Sequence, residues 1–389
     1  MNETPPVPAT LPLTFSGKGG EYFKIWIVNI LLSILTLGIY SAWAKVRNQR
    51  YFLGNTNLDN AVFEYHATPM MILKGRLVAI GLLVLYLIIS NYSTVGSLLL
   101  VMLVVLVAPW AIWRSIQFNA RMVSYRNVHF SFHGSLGTAY KLLLLIPFLP
   151  IIIAALISGL SYLFLGPESL DGLMVVVGLA VFSSYLLVPY VQKAVTSYYI
   201  NFYQYGQGKF SANLSTGKFY SVYLVLVLWS ILLTALVGIA GYIAFSALGL
   251  VDGASFSQGD LGIGGGVIAL AVILAYVLFI AFGLWGKAYL ETKIRNYVLP
   301  ITALDDAVKL NSSYKVSRLF GIYLTNLLLI VVTLGLAYPF AAVRLYRYRI
   351  EQTSAIGDVT QFVNQQHQMQ SALAEELGEA FDMELGLSV

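Results

Sequence analysis

The sequence predicts an all-α polytopic membrane protein with six to eight membrane helices, internal helix-pair repeats and short cytoplasmic β-hairpins. Three observations predict it. First, 58% of the 389 residues are hydrophobic and only 11% are charged, against about 25% charged in a soluble domain. Second, apolar runs near the ~20 residues needed to cross hydrocarbon recur along the chain. Third, residues 25–51 return as residues 322–348. Asn29 aligns with Asn326, Thr36-Leu37-Gly38 with Thr333-Leu334-Gly335, Val46-Arg47 with Val343-Arg344, and Arg50-Tyr51 with Arg347-Tyr348.

Taken in order, residues 1–14 are polar and proline-rich, without the apolar core of a signal peptide. They read as disordered. Residues 15–365 read as a membrane domain with apolar segments at 25–43, 77–90, 97–113, 142–165, 173–192, 221–247, 262–286 and 322–343. The connections 91–96, 166–172 and 248–261 carry Glu168, Asp171, Asp252 and Asp260 but no lysine or arginine. The other connections are basic, so the positive-inside rule makes them cytoplasmic. Residues 366–389 form an acidic tail. Leu373, Leu377, Phe381 and Leu385 there suit either an amphipathic helix or a frayed end.

The basic connections resemble one another. Asn60 to His66 parallels Asn127 to His133, residues 109–140 parallel 189–220, and Thr56 and Leu58-Asp59 meet Thr302 and Leu304-Asp305. Phe15-Ser16-Gly17 echoes Phe132-His133-Gly134. Such repetition marks one supersecondary unit stacked on its copies. Each connection reads as a hairpin, with turns at 57–60, 126–127, 206–208, 303–306 and 356–358. Five hairpins on one face should pair edge to edge, because single hairpins are marginal in water.

Two topologies fit the bracketing segments 25–43 and 322–343. If both span, there are eight crossings, and the fifth hairpin is separated from its relatives as in an inverted repeat. If both re-enter, six crossings remain, and all 23 lysines and arginines face the cytoplasm. Their Thr-Leu-Gly sequences supply a bend, which membrane depth tolerates only where protein or water surrounds it.

Phe15-Ser16-Gly17 through Glu21-Tyr22-Phe23, Ile25 to Asn29, Thr36 to Arg47 and Tyr51-Phe52 resemble the YjgN-like family of bacterial inner-membrane proteins. Asn127 to Gly134 is similar to that family as well. The resemblance covers about residues 13–365. It implies a multi-pass inner-membrane location and supplies no catalytic residues.

Candidate chemistry is sparse. Lys45, Arg47, Arg114, Lys193, Lys287 and Arg344 fall where segments meet the basic side. They read as a basic ring for an anionic lipid headgroup or solute, or more plainly as snorkelling anchors. Asn29, Thr36, Gly38, Asn326, Thr333 and Gly335 would line a path or form the bend; interhelical hydrogen bonding is the plainer account. His66 and His133 hold equivalent repeat positions, but strand-end roles explain them better than a metal. Gly262, Gly264, Gly265 and Gly266 lack the lysine and strand of a phosphate cradle.

No cofactor, metal or catalytic residue is expected. Cysteine is absent, no nucleotide or hydrolase motif occurs, and no acidic residue lies inside the eight segments as bounded above. The expected activity is therefore transport-like, as a channel or carrier, or lipid-handling. The alternative is a membrane scaffold that docks partners on its hairpin face. Expected partners are membrane lipids, anionic ones included, and a protein or a second copy, but no nucleic acid.

Overall fold

The computed structural model describes residues 10–166, 173–247 and 263–358. The elements in order are β1 (Thr10–Phe15), α1 (Gly19–Leu35), α2 (Ser41–Gly54), β2 (Thr56–Leu58), β3 (Ala61–Tyr65), α3 (Pro69–Tyr92), α4 (Thr94–Arg121), β4 (Val123–Tyr125) and β5 (Val128–Phe132). Then come α5 (Leu136–Tyr140), a π turn at Lys141–Leu145, α6 (Ile146–Leu165), α7 (Leu173–Asn201), β6 (Tyr203–Tyr205), β7 (Gly208–Ser211), α8 (Thr216–Ala247) and α9 (Ile263–Ile301). The last are β8 (Ala303–Leu304), β9 (Val308–Ser312), α10 (Val316–Val332), α11 (Tyr338–Glu351) and β10 (Thr353–Gly357).

The chain is mostly helical and its hairpins pair edge to edge, as expected, but the strands make it not cleanly all-α. They form one closed antiparallel barrel in which each strand pairs with its chain neighbours and β10 pairs back onto β1. Closure leaves no unpaired edge, the solution short hairpins need. The unit of construction is strand–helix–helix–strand, and it occurs five times: β1 to β2, β3 to β4, β5 to β6, β7 to β8 and β9 to β10.

Two expectations about the ends are corrected. Residues 10–14 are not disordered, because Leu11, Leu13 and Phe15 alternate inward on β1. Among the described residues no turn at 356–358 leads into a fifth hairpin. The partner strand for β10 comes from the other end of the chain, with Leu11 opposite Ala355. The remaining turns suit tight hairpins. Asp59-Asn60, Arg126-Asn127 and Asp305-Asp306 take positive φ, as does Gly206; this is the conformation that matches strand twist and that Asn, Asp and Gly tolerate.

The chain divides into two compact units. The first holds the barrel, α1 to α7 and α11 from Pro339. Its barrel buries Leu58, Tyr125, Val128, Tyr205, Leu304, Val308 and Ala355, one from each of seven strands. A second cluster joins Phe15 and Tyr22 to Val343. The second unit holds residues 215–297 and 313–338. There Phe219 meets Tyr297 edge-on and Trp229 meets Trp285.

Among the described residues six helices are long and apolar enough to cross a membrane: Pro69–Tyr92, Thr94–Arg121, Leu136–Phe164, Val175–Asn201, Thr216–Ile243 and Ile268–Ile301. Their large apolar side chains are exposed along their length, as a lipid-facing surface requires. The bracketing segments are not single helices. Each breaks in two, at 36–40 and at 333–337. The acidic tail after 365 and the acidic connection residues Glu168, Asp171, Asp252 and Asp260 lie outside the described residues.

Candidate functional site: the base of the helix pairs

The site is the base of each helix pair, where its second helix runs down into a strand. Here the repeats share chemistry position by position. Thr56, Thr302 and Thr353 are buried, and each hydroxyl donates to the carbonyl four residues back, at Phe52, Val298 and Arg349. Five residues before those threonines stand Tyr51, Tyr297 and Tyr348. The Tyr51 hydroxyl accepts from the Lys18 amide at 2.7 Å and donates to the Lys18 carbonyl at 2.8 Å. Tyr198 donates to Ser135 at 2.8 Å, and Tyr297 accepts from the Ser215 amide at 2.7 Å. In each case the second helix is tied to the loop that starts the first helix of its own repeat.

A second set of bonds links one repeat to the next at four of the five junctions. Arg50 donates to the carbonyls of Tyr65 and Ala67, at 3.2 and 3.3 Å. Trp113 Nε1 donates to the Gly134 carbonyl at 2.6 Å, and Asn296 Nδ2 to that of Tyr314 at 2.9 Å. Arg347 donates to the Gly17 carbonyl at 2.7 Å. That last bond joins the final repeat to the first. The accepting carbonyls occupy one loop position of the repeat, so the contact is a recurring latch.

The predicted cations sort by this register. Arg47, Arg114 and Arg344 each stand nine residues before the strand residue equivalent to Thr56. In the third repeat that position is Ala194, with Lys193 beside it. In the fourth it is Lys293 and not Lys287, because α9 continues fifteen residues past the boundary expected at 286. Lys287 lies over the Tyr323 ring, 4.8 Å from its centre. The same extension places Glu291 inside an apolar helix, where its carboxylate accepts from the Tyr323 hydroxyl. Lys45 is exposed on α2. Arg47 donates to Tyr40 at 3.2 Å and reaches Asn29 at 3.5 Å.

Asn29 is buried, and its amide donates to Asn48 at 3.1 Å, which ties α1 to α2. Asn326 is buried in α10. The bends match in detail. Thr36 and Thr333 donate to Leu32 and Leu329, both at 2.7 Å, while accepting from the amides of Tyr40 and Ala337. Leu37 and Leu334 share φ 49°, and Gly38 and Gly335 have φ 90° and 92°. His66 bonds Ser124 at 2.7 Å and lies against His129, whereas His133 lies 3.4 Å from Ser131. The described residues hold no cluster of three or more metal-ligating side chains.

The sequence did not reveal the concavity at this base. A cavity of about 440 Å³ at the base of the fourth helix pair is lined by Lys218, Phe219 and Val222 of α8 and by Tyr289, Lys293 and Tyr297 of α9, among others. Its signal was the repeat register, which singles out Lys293 once α9 is given its full length.

The chain is 26% identical over 366 residues to Inner membrane protein YjgN of Salmonella typhimurium, covering 89% of each chain. It is 26% identical over 363 residues to Inner membrane protein YjgN of Escherichia coli K12, covering 89% of this chain and 88% of that one. No solved structure matches. With its apolar helices and these relatives, this is a multi-pass inner-membrane protein. A model of bacterial proteins of unknown function, DUF898, matches residues 10–380, and the chain therefore belongs to that family.

Proposed function

We propose that this protein handles anionic lipids at the inner membrane, and that the cations at the base of its helix pairs hold the headgroups. The observation that carries the reading is the shared register of Arg47, Arg114, Lys293 and Arg344, with Lys193 one residue away in the remaining repeat. A cation at this register of a repeat, or one residue from it, meets the headgroup layer where its helix pair enters the bilayer. The reading includes no catalytic step.

In this reading the two bracketing segments re-enter. The support is topological: α1–α2 leaves β1 and returns to β2, its barrel partner, and α10–α11 leaves β9 and returns to β10, also its partner. At about 1.5 Å per residue, the 17 residues of α1 and of α10 extend about 25 Å, short of a full crossing. Their tips are apolar, with Leu37 and Leu334 more than nine-tenths exposed. The barrel then lies on the cytoplasmic side, with the basic connections.

The chain has no native cysteine, so single cysteines at Ser16, Asp306 and Asn91 test the topology in intact cells. A membrane-impermeant maleimide should label position 91 directly, and positions 16 and 306 only after permeabilisation. Labelling of position 16 in intact cells would overturn the re-entrant topology. For headgroup binding, the protein is purified from nanodiscs of mixed phosphatidylglycerol and phosphatidylethanolamine, and the co-purified lipids are weighed by native mass spectrometry. Replacing Arg47, Arg114, Lys293 and Arg344 together by Gln should reduce bound phosphatidylglycerol several-fold. An unchanged ratio would sink headgroup capture.

The filled interior of the barrel favours a second reading over a channel. With Tyr125, Tyr205 and Leu304 packed inside it, the barrel suits a membrane scaffold that docks a partner on its polar exterior. Crosslinking from Lys209 and Lys309 would then capture one reproducible protein, and lipid retention would be indifferent to the four cations.

A further inference from the structure

We infer that the crevice between α8 and α9 is a specific site for one anionic phospholipid of the bilayer, with its phosphate between Lys218 and Lys293 and an acyl chain running along the helix pair. This rests on the headgroup reading above and narrows it to one repeat and one lipid.

Three observations carry it. The 440 Å³ cavity at the base of the pair combines two lysines with an apolar wall of Phe219, Val222 and Val225. That combination suits an amphiphile and not a free ion, because a small hydrated anion gains nothing from the apolar wall. Lys293 Nζ stands 6.0 Å from the centre of the Tyr289 ring, so an aromatic side chain lies beside the charge. Tyrosine at this depth is the usual residue of the headgroup boundary.

The third observation is a second cavity in the same helix pair. It holds about 210 Å³ and is lined by Val237, Ala240 and Gly241 of α8 and by Ala271, Ala275 and Leu278 of α9, among others. Its lining is apolar throughout. It begins nineteen residues along α8 from Lys218 and fifteen residues along α9 from Lys293, about 28 and 22 Å at the rise of a helix. A long acyl chain extended from a phosphate between the lysines reaches its near edge, at Leu278. Between the two cavities Trp229 contacts Trp285, and Trp285 stacks on Phe282 and Tyr289. Both cavities sit in one compact unit of the protein. Small side chains alone would mean only close helix packing. Here they line open space on the same pair that presents the two lysines.

The probe is phosphatidylglycerol carrying a diazirine at the end of one acyl chain, in nanodiscs containing the full-length protein. On irradiation, crosslinks should concentrate on residues 237–241 and 271–278. Lys218→Gln with Lys293→Gln should lower that crosslinking at least fivefold, and Lys218→Arg with Lys293→Arg should restore it, which separates charge from folding. Ala275→Phe, which fills the far cavity, should displace the crosslinks while leaving headgroup retention near normal. The same probe built on phosphatidylethanolamine, or a free fatty acid, should give weak and scattered labelling.

Crosslinks spread evenly over α3, α4 and α6 would overturn the crevice site. If phosphatidylglycerol retention still fell in the Arg47, Arg114, Lys293 and Arg344 variant, the broader reading would survive that result. Crosslinks confined to the crevice but unchanged in the double Gln variant would also overturn the assignment, since the lysines would then not select the lipid.

Discussion

At the scale of single residues the barrel core is built from phenols and carbonyls. Tyr125 donates to the Leu58 carbonyl at 2.7 Å, and Tyr205 donates to the Tyr125 carbonyl at 2.9 Å. These three residues hold the same position in successive repeats, so each bond passes from one repeat to the next. Burial pushes both phenols above their ordinary value of 10.0, because a phenolate loses its hydration there. The folded state therefore keeps these protons to higher pH than the unfolded chain. Their stabilisation is present below pH 10 and is lost as pH rises through the raised values. Tyr205→Phe should cost about 1 kcal/mol at neutral pH. Tyr125→Phe with Tyr205→Phe should shrink the alkaline fall in Tm, read by thermal melting in detergent between pH 8 and 11. An unaltered alkaline limb would show that the core phenols are not what titrates.

At the scale of elements the broken helices depend on one residue each. A helix ends where a residue in the left-handed region closes it, and Gly38 and Gly335 supply φ 90° and 92°. The amide of each donates five residues back, to Ser33 at 2.7 Å and to Ile330 at 2.8 Å. Thr36 and Thr333 complete the joint by capping on both sides. Gly38→Ala should cost about 1 kcal/mol, and Thr36→Val a similar amount. Hydrogen exchange at the Tyr40 amide should quicken in both variants while exchange within α3 stays constant. Equal quickening everywhere would place the defect in global stability and not in the bend.

At the scale of the whole molecule the barrel is held by its ends. β1 pairs with β10 on one side and β2 on the other, and Arg347 latches onto Gly17. Removing β1 leaves two open edges, a standing risk of aggregation. Deletion of residues 1–15 should convert the detergent-purified protein from a monodisperse peak to aggregate on size-exclusion chromatography. The milder Leu13→Asp, which puts a charge opposite Leu58 inside the barrel, should lower Tm by several degrees. A Tm within one degree of the parent would mean that β1 is not needed to close the barrel.

The membrane class, five of the six long spans to within a turn or two at most ends, the repeats and four of the five expected turns were legible in the sequence. These follow from composition, run length and the few residues that tolerate positive φ, all local properties. Even the split hairpin was legible in part, in the echo of Phe132-His133-Gly134 by Phe15-Ser16-Gly17. Closure came from tertiary pairing alone. That the edge-to-edge hairpins close into a barrel turns on strand pairing between residues hundreds of positions apart, such as Leu11 with Ala355. No local pattern encodes that pairing. The site followed the same division. Arg47, Arg114 and Arg344 were visible as basic residues after apolar runs. Lys293 was hidden because α9 continues past its last uncharged turn, carrying Lys287 and Glu291 against Tyr323. Partners from another helix let charge persist in an apolar helix, and those partners exist only once the chain has folded.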